Sequence, residues 1–103
     1  MNRYSIAVVH GDGIGPEVCR AALEVLAAMP DVAARLGFHE HPGGADHYRA
    51  TGRVLPDATL AACRDADAIL HGAAGLPDVH YPDGTEAGTD FGLQLRFRLD
   101  LYA

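Results

Sequence analysis

The first apolar run of the chain, Tyr4 to Val9, is rich in β-branched and aromatic residues. Such a run is typical of a strand that is covered on both faces. After Pro16, apolar residues recur with the spacing of one helical face, at Val18, Ala21, Ala22, Val25, Leu26 and Met29. Because proline suits the first turn of a helix, the pattern predicts a helix that begins near Pro16.

The next elements are predicted from helix breakers. Pro30 should break or restart the first helix, and Asp31 can cap a short continuation that runs through Leu36 and ends at Gly37. A second strand then fits Phe38 to His41.

Two more elements complete an alternating order. A helical turn fits residues 45–50 and ends at Gly52, and a further helix starts at Pro56. The short apolar stretch Ala66 to Leu70 predicts a third strand. The order of strand, helix, strand, helix and strand favours an α/β protein with a parallel sheet.

The last third of the chain starts with a loop. Residues 72–88 are dominated by Gly, Pro and Asp and have no apolar period, which predicts a loop at the carboxyl end of a strand. Helical spacing returns between Phe91 and Leu99, and Leu101–Tyr102 can begin another strand.

Composition narrows the class of protein. Fourteen acidic residues against eight basic ones give a net charge of −6, which argues against a nucleic-acid or anionic-membrane surface. No apolar run approaches the roughly 20 residues of a membrane helix, and no secretory signal is evident, so a cytoplasmic location is the expectation. Cys19 and Cys63 belong to no close Cys/His cluster and are predicted to be reduced, apolar positions on helices.

The first candidate for chemistry is the glycine-rich turn after the first strand. Gly11, Gly13 and Gly15 follow a G-x-G-x-G spacing, and Pro16 stands where a dinucleotide fingerprint needs its third glycine. The ordinary Rossmann interpretation therefore fails. Two interpretations remain open: a turn that lets a cofactor approach the backbone, and a turn that only connects two elements.

Three stretches, in order, resemble one family. Ile6 to Val18 is similar to the N-terminal signature of the β-decarboxylating dehydrogenases, the isocitrate/3-isopropylmalate dehydrogenase family. Ala68 to Pro77 is similar to that family's strand and G-A-x-G-x-P loop, and Leu95 to Ala103 to its L-R-x-x-L-D-L-Y-A segment. The resemblance implies a parallel-sheet, three-layer α/β fold, of which residues 1–103 form the N-terminal part of the large domain.

What the resemblance implies about activity is the oxidation and decarboxylation of a substituted malate. The family uses NAD(P) and a divalent metal, Mg²⁺ or Mn²⁺, and the resemblance also implies a homodimer. Whether the cofactor is NAD or NADP stays open. By motif match, Arg96 holds a substrate carboxylate, a role that suits the planar guanidinium group. The other interpretation of Arg96 is a surface arginine that pairs with an acid.

The same resemblance assigns the remaining site residues. Ile14 and the loop of Gly72, Ala73, Ala74 and Gly75 match positions near the nicotinamide half of the cofactor.

Thr89, Asp90 and Gly92 lie where similar enzymes contact the substituent of the malate. Gly92 stands where isopropylmalate enzymes tend to have leucine, and Asp90 where isocitrate enzymes have serine. A negative Asp90 opposes a third carboxylate, so a small or hydroxylated substituent, as in malate or tartrate, is the expectation.

No catalytic or metal-binding residue is assigned within the chain. The family's N-x-R-P arginine, its catalytic tyrosine and lysine and its metal aspartates would follow Ala103, so the 103 residues alone are expected to be inactive. An isolated segment should also expose a sheet edge and apolar helix surface, which favours dimerisation or poor solubility. The competing hypothesis is a noncatalytic binding or assembly module that keeps the α/β half-domain.

The histidines give weaker signals. His39 and His41 alternate along a predicted strand, so they could share a metal, but without a third ligand a polar strand face is the better interpretation. His10 and His71 each end a strand beside a glycine loop and are expected to form local hydrogen bonds.

Overall fold

A three-stranded parallel sheet forms the centre of the molecule. The computed structural model describes residues 3–101, and in it β1 (Tyr4–Val9) lies between β2 (Leu36–Glu40) and β3 (Ala68–His71). Both pairings of β1 are parallel. The predicted α/β class and the parallel sheet are therefore confirmed.

Within residues 3–101, five helices connect and cover the strands. They are α1 (Gly15–Ala27), α2 (Pro30–Ala33), α3 (Ala45–Thr51), α4 (Asp57–Asp65) and α5 (Phe91–Arg98). In chain order the described elements are β1, α1, α2, β2, α3, α4, β3 and α5. Each predicted helix is present. With 13 residues, α1 is the longest helix in the described part of the chain, and none there is long and apolar enough to cross a membrane.

The region between α1 and β2 differs from the prediction. Pro30 starts α2 as expected. The N-cap residue is Met29, however, and Asp31 lies inside the first turn, so the predicted cap at Asp31 is wrong. The fixed φ of proline already suits the first helical position, which places the helix start two residues earlier, with Met29 as the cap residue. Leu36 and Gly37 are not a helix end but the first residues of β2, because they pair with the start of β1.

The third strand is also shorter than predicted. Ala66 caps the end of α4, and Asp67 lies between that helix and β3 rather than within the strand. The Asp67 carboxylate accepts a hydrogen bond from the backbone N–H of Ser5 at 2.7 Å. Strand β3 therefore begins at Ala68, where pairing with Ile6 starts.

The chain turns back after α5. Asp100 has a positive φ of 54°, and the N–H of Leu101 donates to the carbonyl of Arg96 at 2.9 Å, which is the Schellman arrangement of a helix end. Leu101 has no regular secondary structure and Tyr102 lies outside the described residues, so the strand predicted at Leu101–Tyr102 stays a prediction.

The main core lies on one face of the sheet. Ala7 and Val9 of β1 belong to this core, which is completed by the start of α3, by the segments before α4 and α5 and by the inner side of α5. The buried apolar members of this cluster are Ala7, Val9, Ala45, Val54, Leu55, Cys63, Val79, Ala87, Phe91 and Leu95. Val8 has the opposite parity and is also fully buried, so β1 is covered on both faces as predicted.

Helix α1 keeps an apolar stripe toward solvent. Cys19 is buried on its inner side, whereas Val18 and Val25 are 53% and 62% exposed, and Met29, just beyond the end of the helix, is 41% exposed. The apolar positions in the sequence thus belong to two faces of the helix, of which only one is covered. An exposed apolar helix surface was predicted for this segment, and the outer face of α1 is that surface.

Candidate functional site

Two loops meet at the carboxyl edge of the sheet. The β1 loop (residues 10–15, which includes the first residue of α1) joins β1 to that helix, and the β3 loop (residues 72–75) follows β3. The N–H of Asp12 donates to the carbonyl of Ala73 at 2.7 Å and joins the two loops. In open parallel sheets this edge is where ligands usually bind, so it is the first place to look for a site.

The glycines of these loops are needed for packing. A Cβ on Gly15 would overlap the carbonyl oxygen of His10 and lie 2.7 Å from that of Ala73. A Cβ on Gly72 would overlap the same His10 oxygen and lie 2.8 Å from the Cα of Gly15. The two loops therefore touch through their backbones. This contact supplies a structural reason for the glycines that the sequence did not reveal.

The tip of the β1 loop is open. Gly13 has a positive φ of 56° and a Cβ there would meet nothing within 4 Å. Ile14 follows it, is 65% exposed, and stands at the start of α1 without a side-chain cap. A ligand can therefore reach the tip and the apolar Ile14 side chain.

The predicted cofactor residues lie together but in different surroundings. Ala73 is exposed, Ala74 is half-buried and packs against the main core, and Gly72 is buried. Gly75 has a φ of 122°, and a Cβ there would lie 2.9 Å from the methyl group of Thr89. Because Ile14 directly precedes Gly15, which packs on Ala73, all five positions belong to one edge of the molecule.

Asp12 is the site residue that sequence reasoning missed. It is 5% exposed, and its carboxylate accepts backbone hydrogen bonds from Ala45 at 2.6 Å, Gly75 at 2.8 Å and Asp46 at 3.0 Å. Only its place within the glycine turn marked it in the sequence. Three charge-assisted hydrogen bonds satisfy the buried carboxylate and join the starts of α1 and α3 to the β3 loop.

The predicted substrate residues enter from the other side. We call residues 88–92 the α5 entry segment. Thr89 is exposed and its hydroxyl donates to the carbonyl of Glu86 at 3.0 Å. A Cβ on Gly92 would lie 3.5 Å from the ring of His71. The α5 entry segment thus contacts the β3 loop through Thr89 and the end of β3 through Gly92.

Asp90 is held by two neutral donors. Its carboxylate accepts from the Tyr81 hydroxyl at 2.8 Å and from the Gln94 side-chain amide at 2.6 Å. Partial burial acts to raise the pKa of Asp90, but these hydrogen bonds outweigh it and the pKa is lowered. Burial, together with the hydrogen bond and charge of Asp90, raises the pKa of Tyr81 to about 12. Asp90 is therefore a fixed negative charge at the start of α5.

Arg96 lies on α5 with an exposed side chain. It follows Gly92 by four residues, so it stands one turn further along the same face of the helix. Among residues 3–101 no side-chain hydrogen bond or ion pair of Arg96 is present. The guanidinium group is available to an anion from outside the chain.

The histidines form local contacts. The His10 ring bonds Glu40 across the ends of β1 and β2, and His71 bonds the backbone oxygen of Gly72 at 3.1 Å. These contacts confirm the expected local roles. His39 is exposed near the end of β2, and His41 lies beyond that strand. The described part of the chain brings no three His, Cys, Asp or Glu side chains together in a metal site.

Both cysteines are buried and free, as predicted, on α1 and α4. Burial raises the pKa of each thiol. Cys63 also lines a cavity of about 320 Å³ bounded by Ala68, Ile69, Leu99 and Leu101. That cavity lies beside the amino half of β3, away from the two loops, so it is separate from the candidate site.

The parallel sheet and its covering helices place the chain in the α/β class of proteins, and the two glycine loops packed at the carboxyl edge of the sheet form an edge suited to a ligand. Comparison with protein families makes the assignment specific, because residues 5–103 match the model of the isocitrate/isopropylmalate dehydrogenase family. The chain belongs to this family. The resemblance in the sequence and the expected fold are both confirmed.

Similar proteins include two named 3-isopropylmalate dehydrogenases. The enzyme of Symbiobacterium thermophilum is 47% identical over 104 residues, which cover 97% of this chain and 27% of the relative. The enzyme of Rhodococcus opacus is 49% identical over 96 residues, which cover 92% of this chain and 26% of the relative. The chain thus spans about a quarter of the length of these relatives.

Solved structures agree with the fold. The apo β-decarboxylating dehydrogenase of Thermococcus kodakarensis is 37% identical, with a TM-score of 0.77 over 96% of this chain and 27% of that chain. The isocitrate dehydrogenase of Methylococcus capsulatus is 29% identical, with a TM-score of 0.76 over 97% of this chain and 27% of that chain.

Proposed function

We propose that the chain is the N-terminal part of the large domain of an NAD(P)-dependent, metal-dependent dehydrogenase that oxidises and decarboxylates a 3-substituted malate. One observation carries the proposal: the β1 loop, the β3 loop and the α5 entry segment meet at the carboxyl edge of the sheet. The homodimer implied by the resemblance and the cytoplasmic location expected from the sequence belong to the same proposal.

The cofactor side of the proposal rests on Ile14 and Ala73. Both are exposed at the edge where the two loops pack, and the open space around Gly13 leaves room for a flat ring. The nicotinamide, when bound, accepts a hydride from the substrate. The chain's own contribution is a fixed apolar surface from Ile14 and Ala73, which keeps water from one side of the ring. Gly72 and Gly75 act indirectly, because Gly72 lets the two loops pack and Gly75 lets Thr89 of the α5 entry segment approach the β3 loop.

A divalent metal, when bound in the complete enzyme, would supply Lewis-acid stabilisation of negative charge on the substrate oxygen. The described residues contain no cluster that could supply a complete ligand set. The proposal therefore places the metal ligands, like the proton-transfer residues, outside residues 3–101, and no catalytic residue is assigned within the chain. The 103 residues alone are expected to be inactive.

Arg96 is proposed to bind a carboxylate of the malate. Its exposed guanidinium group lies on the Gly92 face of α5 and can donate two parallel hydrogen bonds to one carboxylate. The Asp90 carboxylate accepts hydrogen bonds from Tyr81 and Gln94, and it forms no ion pair with Arg96 within residues 3–101. The proposal favours a malate that carries a small or hydroxylated substituent next to Gly92. The second candidate substrate is 3-isopropylmalate, which the names of the relatives favour.

The test uses Arg96 variants of the full-length enzyme. Arg96→Ala should lower kcat/KM for the malate substrate roughly 30- to 5,000-fold, since losing one partner of a desolvated charge pair costs about 2–5 kcal/mol. Arg96→Lys should recover only part of this loss, because one ammonium group cannot reproduce the guanidinium fork. Arg98→Ala, at another exposed arginine of α5, is the matched control and should change kcat/KM less than threefold.

Unchanged kinetic constants in both Arg96 variants would show that the residue belongs only to the surface. The noncatalytic alternative predicts a different result. If the full-length protein oxidises none of malate, tartrate, 3-isopropylmalate and isocitrate with either nicotinamide cofactor and Mg²⁺ or Mn²⁺, the binding or assembly role replaces the enzyme.

A further inference from the structure

Asp12 holds the β3 loop on both sides of one residue. Its backbone N–H donates to the carbonyl of Ala73 at 2.7 Å, and its carboxylate Oδ2 accepts from the N–H of Gly75 at 2.8 Å. Ala74 lies between these two bonds. A single aspartate thus fixes the path of the loop for which a cofactor contact is proposed.

The same carboxylate also fixes the start of α3. Oδ2 accepts from the N–H of Ala45 and Oδ1 from that of Asp46, so the amides of α3 and of the β3 loop share one acceptor group. Gly44 makes this approach possible, because a Cβ there would lie 2.6 Å from Oδ2. The three donors come from segments 33 to 63 residues away in sequence.

The α5 entry segment rests on the amides that Asp12 holds. A Cβ on Gly88 would lie 3.0 Å from the nitrogen of Ala45 and 3.0 Å from that of Gly75. The next residue, Thr89, contacts Gly75. The position of the α5 entry segment therefore depends on two backbone groups whose own positions are set by one carboxylate.

We propose that Asp12 is a positioning residue that sets the distance between the β3 loop and the α5 entry segment, and hence between cofactor and substrate. The inference rests on the proposed function. A carboxylate suits this place because it only accepts hydrogen bonds, whereas an amide of the same shape would turn N–H groups toward N–H donors. Asp12 acts through Gly75 and Ala45 and touches neither reactant.

The first arm of the test is amide hydrogen exchange, measured on the full-length protein. In the wild type, the amides of Gly75 and Ala45 should be protected. In Asp12→Asn both should exchange at least tenfold faster. Asp83→Asn is the matched control, because Asp83 also accepts a backbone N–H, that of Thr85, but in an exposed loop. Wild-type Gly75 and Ala45 amides that exchange as fast as those of an unstructured peptide would overturn the inference, even if the variant failed to fold.

The second arm is steady-state kinetics of the full-length enzyme, well below its melting temperature. Asp12→Asn should lower kcat at least tenfold and change the substrate KM less than threefold, since Arg96 lies further along α5 and a displacement of about 1 Å is enough to slow chemistry strongly. A purely structural role predicts an unchanged kcat in the folded variant, and that result would refute the positioning role. If the wild type oxidises no substituted malate, the proposed function fails, and the exchange data still decide whether Asp12 fixes the loops.

Discussion

The substitution Gly72→Ala isolates the backbone contact between the two loops. The added methyl group would lie 2.8 Å from the Cα of Gly15 and would overlap the carbonyl oxygen of His10, whereas real Cβ atoms hardly ever come within 3.0 Å of a neighbour. Both neighbours are backbone atoms, so no side chain can rotate away. Overpacking costs typically about 1–3 kcal/mol, and we expect the upper end, about 3 kcal/mol.

A matched control separates this clash from the loss of glycine itself. Gly13→Ala places a methyl group in open space at a positive φ of 56°, so it carries only the conformational cost of about 1–2 kcal/mol. The free energy of unfolding of each variant is measured by urea titration followed by far-ultraviolet circular dichroism. If Gly72→Ala is no more destabilising than Gly13→Ala, the loops do not pack through their backbones, and the structural explanation of these glycines is wrong.

Three further predictions concern α5 and its surroundings. Tyr81 should titrate near pH 12 in an ultraviolet phenol titration, and Asp90→Asn should lower the pKa of Tyr81 toward 10. Because the raised pKa favours the neutral phenol, the contribution of Tyr81 to stability is complete below pH 10 and is lost as the pH rises through 12. A Tyr81 that titrates normally would contradict this prediction. Phe91→Ala removes a side chain that is 1% exposed and should lower the free energy of unfolding in urea by about 3–5 kcal/mol. Phe97→Ala removes one that is 80% exposed and should lower it by less than about 0.5 kcal/mol. Equal losses in the two variants would refute the packing of α5. In the full-length enzyme, kcat/KM should be higher for malate or tartrate than for 3-isopropylmalate because of Gly92; a preference of more than tenfold for 3-isopropylmalate over malate would exclude this.

The parts of the fold that follow local rules could be predicted from the sequence. Strand β1 has a continuous apolar run, and α1 begins at a proline, so each carries its own signal. The prediction that a helix runs through Leu36 and ends at Gly37 was wrong for a physical reason. A glycine after a short apolar helix usually ends that helix, but here pairing with the start of β1 draws both residues into β2.

The candidate site was predictable only as far as the family resemblance extended. Arg96 and the β3 loop stand in recognisable motifs, and their roles remain predictions. Asp12 also stands in a recognisable motif, but the motif did not indicate its role, because its function in the fold depends on donors from Ala45 and Gly75. Their approach is set by the order of the strands, and no local pattern in the sequence encodes it.

The backbone contact between the loops also determines where the protein can vary. His10 and Ala73 take part in it through their carbonyl oxygens, which every amino acid possesses. Gly15 and Gly72 take part through the absence of a side chain. Evolution or protein engineering can therefore change the side chains at positions 10 and 73, and with them the chemistry of this edge, while the two glycines keep the loops in register.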